Sequence, residues 1–330
     1  MQHILNEIPI KTTNSFKVNN CVIDLDLLKP TAFKNYDTFI DLKVTNNYSF
    51  TSKLGLKVND GVKVDLNINA SYDQPIILKY HLTNDTLYEE INIKLTNCNN
   101  QIIFLYDSDD NKNILYNSIN LNLENAHLNL SYINLLSSKS THLLAINTIT
   151  NKDSILNTNL FDLGGNIKIS NYYGVTNKLA TNNLKVIYQG INNDLLDMNY
   201  HLINQEKQAS SDILVTGLLD DCATKTLKST IKFMAGATAS IGHEKEDVII
   251  FSDDVTNTSV PLLLCDEEDV VGTHSVSSGN INEEALYYLT TRGITIKEAT
   301  KLLIMAKFNP IINNISDDDI KELIINNIKD

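Results

Sequence analysis

The sequence predicts a mainly β protein with a helical segment at its C-terminus. From about residue 38 to residue 270, apolar and polar residues alternate with a period of two. That period places one set of side chains in a core and the other in water, as in half-buried strands. After residue 280 the apolar residues recur at helical spacing instead. The chain is therefore expected to fold as a long β-body followed by a few helices.

The β-body consists of short alternating runs that end at Asn, Asp, Ser or occasional Gly, residue types that suit turns. Clear examples are residues 54–58, 62–68, 91–95, 119–123, 127–130 and 183–188. A stack of sandwiches and a β-solenoid both fit such a series. Its length and its Asn-rich corners favour the solenoid, because Asn tolerates the left-handed conformation and stacks in ladders. The absence of a strict repeat period is the observation against a regular solenoid.

Three helices are predicted after residue 280. The first begins with Glu283 and Glu284, which would interact favourably with the helix dipole. Gly293 would end this helix as the residue after its C-cap. A second helix starts at the capping box of Thr295 and Glu298.

Pro310 is expected to end the second helix. The apolar residues along that helix are Ala299, Leu302, Leu303, Met305 and Ala306. We predict that this stripe packs against the other helices, with a docking face for a partner as the alternative. A third helix begins at residues 316–319. The whole appendage, about 50 residues, is too small to be very stable alone, so it should pack on the β-body or on a partner.

The composition argues against several functional classes. The chain has 330 residues, with 27 Lys and Arg against 40 Asp and Glu, and a formal net charge of −13. Such an acidic chain lacks the basic surface needed for sequence-independent nucleic-acid binding or for docking on anionic lipid. No apolar run approaches the length of a membrane-spanning helix, and the N-terminus has no secretory pattern, so a cytoplasmic protein is expected. The four cysteines are far apart and suggest neither a disulfide framework nor a zinc site.

No catalytic motif is present. The sequence contains no GxxxxGKS/T, GxGxxG, HExxH or GxSxG, and no two of its seven histidines have metal-ligand spacing. Adjacent acidic residues occur, but 40 acids in 330 residues make such pairs expected. A β-helix enzyme acting on polysaccharide would need aromatic platforms, and the chain has no Trp. From composition and motifs alone, therefore, neither an enzyme nor a catalytic residue can be named.

A longer signature lies in residues 255–294. Its pieces are the Pro-led strand PLLL at 261–264, the turn Asp269-Val270, HSVSSG at 274–279, EEALYYL at 283–289 and TRGI at 291–294. In order and spacing they resemble the C-terminal signature of the SufB/SufD family of iron–sulfur cluster assembly proteins. Weaker similarities at 161–165, 197–202 and 216–223 extend the resemblance over about residues 110–310.

The resemblance implies a right-handed parallel β-helix with a C-terminal helical subdomain, in agreement with the patterns above. We accordingly divide the chain into a short N-terminal segment, 1–37, a β-helix core, 38–279, and the helical subdomain, 280–330. The resemblance also implies two partners: an ABC-type ATPase, SufC, on the C-terminal helices, and a second β-helix subunit. Clusters would be built at the interface of the two subunits. We expect no stably bound cofactor, only a transient iron–sulfur cluster there, and neither nucleic acid nor membrane as a partner.

Three positions bear on the kind of subunit. In SufB the signature histidine is followed by Glu, and a cluster-assembling Cys lies 28 residues before it; here Ser275 follows His274, and residue 246 is Glu. Gly279, five residues past His274, fits the SufD pattern. We therefore predict a SufD-like scaffold subunit that is not itself an enzyme and has no catalytic residue. A SufB-like cluster-holding subunit, a homodimer that does both jobs, and a structural member without a ligand role are the alternatives. Glu246 itself is expected to be a solvated surface acid.

The resemblance makes His274 the main candidate at the cluster-assembly interface, because a neutral imidazole can bind iron or carry a proton. A structural histidine at the junction of strand and helix is the alternative. Cys265 is a second candidate, since thiolate is the natural iron ligand, although its alternation with Leu263 predicts a buried, inert thiol. The residues expected to contact the ATPase are Glu283, Glu284, Tyr287, Tyr288, Arg292, Leu302 and Leu303. Arg292, the only arginine, is also expected to cap helix carbonyls or bind a carboxylate.

Overall fold

A β-solenoid of about eight turns makes up most of the protein in the computed structural model, which describes residues 2–6, 18, 21–24 and 29–329. Each turn contributes one strand to each of two facing sheets, and three helices follow the last turn. The predicted mainly β class with a helical C-terminal segment is confirmed. Of the two architectures that the sequence left open, the structure has the solenoid.

The first sheet has nine strands. It begins with β3 (Lys43–Thr51), which runs antiparallel to β4 (Lys57–Ile68); all later neighbours are parallel. The parallel strands that follow β4 are β6 (Thr86–Thr96), β8 (Ile114–Glu124), β10 (Thr141–Thr150), β12 (Ile167–Thr176), β14 (Leu195–Asn204), β16 (Thr224–Phe233) and β18 (Thr256–Cys265).

The second sheet has eight strands, all parallel. They are β5 (Ile76–Leu82), β7 (Asn99–Ser108), β9 (His127–Leu135), β11 (Ile155–Asp162), β13 (Thr181–Gly190), β15 (Ser210–Leu219), β17 (Ser240–Ile250) and β19 (Val270–Gly279). A separate antiparallel pair, β1 (Gln2–Ile4) and β2 (Val22–Asp24), lies near the N-terminus.

The length of one turn is not constant, which explains why the sequence has no strict repeat. Aligned residues in neighbouring turns are 26 apart between Thr141 and Ile167 but 32 apart between Thr224 and Thr256. The turns between strands absorb this variation. Half of the non-glycine residues with positive φ in the described chain are Asn, as the turn-forming role of Asn predicts.

Asn side chains also stack along the solenoid, as the sequence predicts. On the outer face of the first sheet, Asn147 donates to Asn120 (3.0 Å), Asn120 donates to Asn92 (2.9 Å), and Asn92 donates to the carboxylate of Asp65 (3.0 Å). Each step joins side chains aligned in neighbouring strands. These hydrogen bonds add lateral order to the backbone ladder.

The main core lies between the two sheets. One column of aligned inward residues shows its character: Ile91, Ile119 and Ile146 are followed by Tyr172 and Tyr200, all almost fully buried. Each turn therefore stacks its apolar side chains directly on those of the previous turn, so burial continues from coil to coil.

Three helices follow the last strand: α1 (Glu283–Thr291), α2 (Ile296–Ile312) and α3 (Asp318–Asn327). Gly293 has φ +87° just after the C-cap of α1, and the capping box of Thr295 and Glu298 opens α2, as predicted. Helices α2 and α3 cover the outer face of the second sheet. Their buried residues Ile304, Phe308, Ile311, Ile312, Ile320 and Ile324 pack with Ile133, Phe161, Ile187 and Ile249 of the strands.

Two details of α2 correct the sequence analysis. Pro310 does not end the helix, which continues to Ile312. Burial of Ile311 and Ile312 against the sheet offsets the hydrogen bond that proline cannot donate. The predicted core stripe is also wrong in part, because Leu302 and Ala306 are exposed and Leu303 is half-buried. The helix turns a different face, centred on Phe308, towards the sheet.

Residues 2–6, 18 and 21–24 of the N-terminal segment lie on the outer face of the first sheet, whereas Tyr36 belongs to the core between the sheets. Buried Lys228 donates to the backbone carbonyls of Asn6 (2.8 Å) and Val18 (3.3 Å), and it forms an ion pair with Asp197 (2.8 Å). Cys21 is buried beside this pair. Residues 1, 7–17, 19–20 and 25–28 of the predicted segment 1–37 lie outside the described residues.

Candidate functional site

The C-terminal end of the solenoid is uncovered. Strands β18 and β19 are the last strands of their sheets, and neither contains a fully buried residue. We call β18, β19 and the inward residues of β16 and β17 beneath them the open end. Each last strand leaves one edge of backbone N–H and C=O groups unpaired, which is the arrangement that pairs with another chain.

His274 lies in the middle of β19, not at a junction of strand and helix. It is aligned with Glu244 of β17, which is aligned in turn with Ile213 of β15. Because Ile213 and Glu244 are both buried between the sheets, this column faces inward. His274 continues the column, but it is exposed because no further turn covers it. The imidazole is thus presented at the mouth of the solenoid interior.

Glu244 lies one turn below His274 and is buried. Its carboxylate accepts a hydrogen bond from the hydroxyl of Ser229 on β16. Burial raises the pKa of Glu244 to about 7, and the bond from Ser229 opposes that rise. The open end therefore holds an ionisable carboxyl group directly under its histidine, a residue that the sequence analysis missed.

Glu246 is not the solvated surface acid that the sequence analysis predicts. It is 1% exposed and forms an ion pair inside the solenoid with the ammonium group of Lys225 on β16. One carboxylate oxygen, Oε2, has no hydrogen-bond partner. Burial lowers the pKa of Lys225, and the charge of Glu246 opposes that shift. The position where the SufB signature has cysteine is thus held by a charge-compensated carboxylate.

Lys225 also connects the last two turns. Its Nζ donates to Asn257 Oδ1 and Ser259 Oγ of β18, at 2.9 Å each, as well as to Glu246 of β17. A single buried ammonium group therefore holds strands of both sheets at the open end. No local sequence motif marks Lys225. The only signal in the sequence is that Lys225 and the core residue Leu227 are two positions apart in β16, so both side chains point into the interior.

Cys265 is exposed, so the predicted buried thiol is wrong. The predicted alternation is correct: Cys265 is aligned with the buried Phe233, and Leu263 with the buried Ile231. The thiol is nevertheless open to solvent because it ends the last strand, where no further turn lies above it. Both sequence candidates, His274 and Cys265, thus belong to the same uncovered turn, on opposite sheets.

A second exposed surface lies on the helices. We call it the helical patch and define it by Tyr287, Tyr288 and Leu302, which are 72%, 57% and 51% exposed. The predicted residues Glu283 and Glu284 are exposed beside them at the start of α1, and α1 has no buried residue.

Within the described part of the chain, the side chain of Arg292 does not bind the helix carbonyls or the carboxylate that the sequence analysis predicts. Its guanidinium lies 5.1 Å from the ring centroid of Tyr288, while its backbone N–H caps the carbonyls of Leu289 and Thr290. A guanidinium group that lies over an aromatic ring packs on the helix and keeps its charge available to a partner.

Metal ligands are not preassembled at the open end. Within the described residues, no group of three or more His, Cys, Asp or Glu side chains is arranged to hold a metal ion. His274 could supply one nitrogen ligand and Cys265 one sulfur ligand, but a complete coordination shell needs further donors. The open end can offer ligands to a shared site.

The fold and the open end together define a class of protein: a β-solenoid whose last turn is uncovered and whose chain continues into a helical appendage. Residues 84–307, about two thirds of the chain, match the family model described as SUF system FeS cluster assembly, SufBD core domain. The chain therefore belongs to the SufB/SufD family of the SUF iron–sulfur cluster assembly system.

The individual relatives have low sequence identity to this chain and match only part of it. The chain is 29% identical over 128 residues to the iron–sulfur cluster assembly protein SufD of Bacillus subtilis (strain 168), covering 39% of this chain and 29% of that protein. It is 24% identical over 193 residues to a SufBD family protein of Mycobacterium leprae (strain TN), covering 56% of this chain and 49% of that protein. A SufBD family protein of Pyrococcus horikoshii matches at 28% over 92 residues, covering 28% of this chain and 21% of that protein. The chain thus spans half or less of each of these relatives.

Among the residues that the structure describes, none of the helices meets the length and hydropathy of a membrane span.

Proposed function

We propose that this chain is a SufD-like scaffold subunit of a SUF assembly complex in the cytoplasm. In this proposal it couples an ABC-type ATPase to cluster assembly at an interface between two solenoid subunits, without itself being a catalyst. The observation that carries the proposal is the exposure of His274 on the inward side of an uncovered last turn. An imidazole in that position can contribute to a site that a second subunit completes.

Residue 246 favours a SufD-like over a SufB-like role. A cluster-holding subunit needs a thiolate at this position, but the side chain here is a carboxylate that is 1% exposed and paired with Lys225. The second subunit would therefore supply the thiolate, while this chain supplies the imidazole of His274. Iron and sulfide are substrates of such a site, and a neutral imidazole binds iron through its lone pair.

The free edges of β18 and β19 are where we place the second solenoid subunit. Val271 and Val276 of β19 are exposed, so the end offers apolar side chains as well as unpaired backbone groups. A SufB-like chain is the proposed partner. A second copy of this chain could occupy the same edges, and the composition of the purified complex distinguishes the two.

The helical patch is where we place the ATPase. Two tyrosines and a leucine exposed on adjacent helices resemble the anchors of a helix that docks into an apolar groove, and Glu283, Glu284 and Arg292 supply charges at the rim. Because α2 packs on the second sheet and Lys307 of α2 binds Asp247 of β17 (2.7 Å), a displacement of the helices would act directly on the open end.

The first experiment is co-expression with the SufC-type ATPase and a SufB-type chain from the same organism, followed by affinity capture and size-exclusion chromatography. Leu302→Asp should abolish retention of the ATPase, because it places a charge in the helical patch. Ile149→Asp, at a residue 46% exposed on the first sheet, is the matched control and should retain it. Equal retention of the ATPase by both variants would exclude the helical patch as its docking site.

The second experiment measures cluster yield in the assembled complex. His274→Ala should lower the yield without changing the melting temperature, because the side chain is exposed and no turn packs on it. The control is His243→Ala. His243 is also exposed, but it faces outward, and its Nδ1 lies 2.8 Å from Oγ1 of Thr273. An unchanged yield in His274→Ala would refute the role proposed for His274 in cluster assembly.

A further inference from the structure

A chain of buried polar side chains crosses the solenoid interior, far from the open end. We call it the interior chain. Its members are Tyr36, Glu89, Tyr106, Asn117, Tyr132, His142 and Asp162, all of them buried. Apart from Tyr36, they lie on strands β6 to β11, whereas the open end is built from β16 to β19.

One end of the interior chain is a fixed anion. Burial alone would raise the pKa of Asp162, yet the charge of His142 and the hydrogen bond from it, together with the charge of Lys168 and the hydrogen bond from Asn134, hold that pKa below its usual value. Asn134 donates to Asp162 Oδ1 (2.7 Å), and the orientation of this amide is set because its oxygen accepts from the backbone N–H of Leu136 (3.1 Å). His142 Nδ1 lies 3.0 Å from the same oxygen. Nδ1 therefore carries a proton.

The other end is Glu89, whose carboxylate has neutral partners. It lies 2.9 Å from Tyr36 Oη, 3.1 Å from Tyr106 Oη and 2.6 Å from the side-chain amide of Asn117. The hydroxyl of Tyr36 is also 2.7 Å from that of Tyr106. Burial raises the pKa of Glu89 to about 7, with the bonds from these partners opposing the rise.

Asn117 and Tyr132 join the two ends. The second terminal atom of the Asn117 amide is 2.6 Å from Tyr132 Oη, and Tyr132 Oη is 2.9 Å from His142 Nε2. A tyrosine hydroxyl has one proton, so Tyr132 can donate to Asn117 or to His142, but not to both. The oxygen and nitrogen of a side-chain amide occupy nearly equivalent positions, so Asn117 can face either way.

In the first arrangement the nitrogen of Asn117 donates to Glu89, and its oxygen accepts from Tyr132. Tyr132 must then accept from His142 Nε2. Because Nδ1 already carries a proton, His142 is a positively charged imidazolium. Glu89 accepts from Asn117 and from one of the two tyrosine hydroxyls, which are also hydrogen-bonded to each other, and in this arrangement we assign it as ionised.

In the second arrangement Asn117 is turned over. Its nitrogen donates to Tyr132, and Tyr132 donates to His142 Nε2, which is then unprotonated and leaves the imidazole neutral. The oxygen of Asn117 now faces Glu89 at 2.6 Å, a distance at which two oxygens require a proton between them. Glu89 is therefore protonated.

We propose that the interior chain is a proton-binding site that holds one proton in two alternative places, His142 or Glu89. The two arrangements contain the same number of protons. Passing from the first to the second breaks the Nε2–H bond of His142, forms an O–H bond on Glu89, and turns Asn117 over; no electrons are transferred. The site is closed to solvent, since His142 and Glu89 are each 0% exposed.

The test uses the full-length chain labelled with ¹⁵N-histidine and ¹³C-glutamate. Nitrogen chemical shifts give the fraction of His142 present as imidazolium, with His142→Gln to assign its signals. The carbonyl stretch of a protonated carboxyl group gives the protonated fraction of Glu89, with Glu89→Gln to assign the band. We expect the two fractions to add up to one at pH 7.5.

Two outcomes, both measured on the wild-type chain, would overturn the proposal. These are a sum near zero, with a neutral His142 and an ionised Glu89, and a sum near two, with both groups protonated. In Glu89→Gln, which removes the negative charge, His142 should be fully neutral with its proton on Nδ1. Persistence of the imidazolium in this variant would also refute the coupling. Glu90→Gln, at the half-buried neighbour, is the matched control and should leave the state of His142 unchanged.

Discussion

Replacing Lys225 by methionine should loosen the open end specifically. The substitution keeps most of the side-chain volume but removes the ammonium group that pairs with Glu246 and binds Asn257 and Ser259. Glu246, 1% exposed, would then be a buried carboxylate without a compensating charge. Removing one partner of a buried ion pair costs about 3–5 kcal/mol, so we expect a loss of this size in the stability of the last two turns.

Hydrogen exchange is the appropriate assay, because repeat proteins open turn by turn and a single global unfolding energy can miss a local loss. A loss of about 3–5 kcal/mol corresponds to an acceleration of exchange of about a hundredfold to several thousandfold. In Lys225→Met this acceleration should appear in the amides of β16 to β19 and should be small in β6 to β11, which lie several turns away.

The chain provides a matched control in Lys168, which forms a similar buried pair with Asp194 at 2.8 Å. Lys168→Met should accelerate exchange around β12 and β14 and leave β18 unchanged. A double variant, Lys225→Met with Glu246→Leu, should recover most of the lost protection because it buries no charge. The reasoning is refuted if Lys225→Met alters exchange in β18 by less than about threefold, or if the double variant is as labile as the single one.

Two further substitutions test other features. In Glu244→Gln the open end should lose part of its pH dependence. The pKa of Glu244 is about 7 when folded against about 4.3 when unfolded, so the stability it contributes is present at low pH and is lost as pH rises through 7. The variant should be more stable than the wild type at pH 8, by at most about 4 kcal/mol, and equal melting temperatures at that pH would contradict this. Gly217→Ala should destabilise β15 by about 1–3 kcal/mol in urea unfolding, because the added Cβ would lie 2.0 Å from Cζ of Tyr188; an unchanged midpoint would show that the ring can move aside.

The fold was largely predictable because alternation depends only on neighbouring residues. Residues 62–68 of β4 and 119–123 of β8 place apolar residues at every second position, so the sequence itself indicates which side chains face inward. The caps of the helices are local as well, and Thr295 and Glu298 form the capping box that their spacing predicts. Pro310 was misjudged because its effect depends on what the following residues bury, and that is a tertiary property.

The candidate site was less predictable because its environment comes from residues distant in sequence. In β17 charged residues occupy consecutive positions 243–247 if histidine is included, so alternation there does not show which face is inward. Glu246 is buried because Lys225, 21 residues earlier, lies across the interior from it. For Cys265 the alternation correctly predicted an inward-facing side chain. The thiol is exposed because no further turn covers it among the described residues, and local sequence patterns do not encode that.

The Asn ladders also place aligned amide dipoles on the surface of the solenoid. In every step the amide nitrogen of the later turn donates to the oxygen of the earlier one, and the first ladder ends on the carboxylate of Asp65, which can only accept. A second ladder runs the same way on the second sheet, from Asn183 to Asn157 and from Asn157 to Asn129. At the opposite ends of the two ladders, the side-chain oxygens of Asn147 and Asn183 have no donor. The amide dipoles of each ladder therefore add head to tail, with their negative ends directed along the solenoid axis towards the last turn.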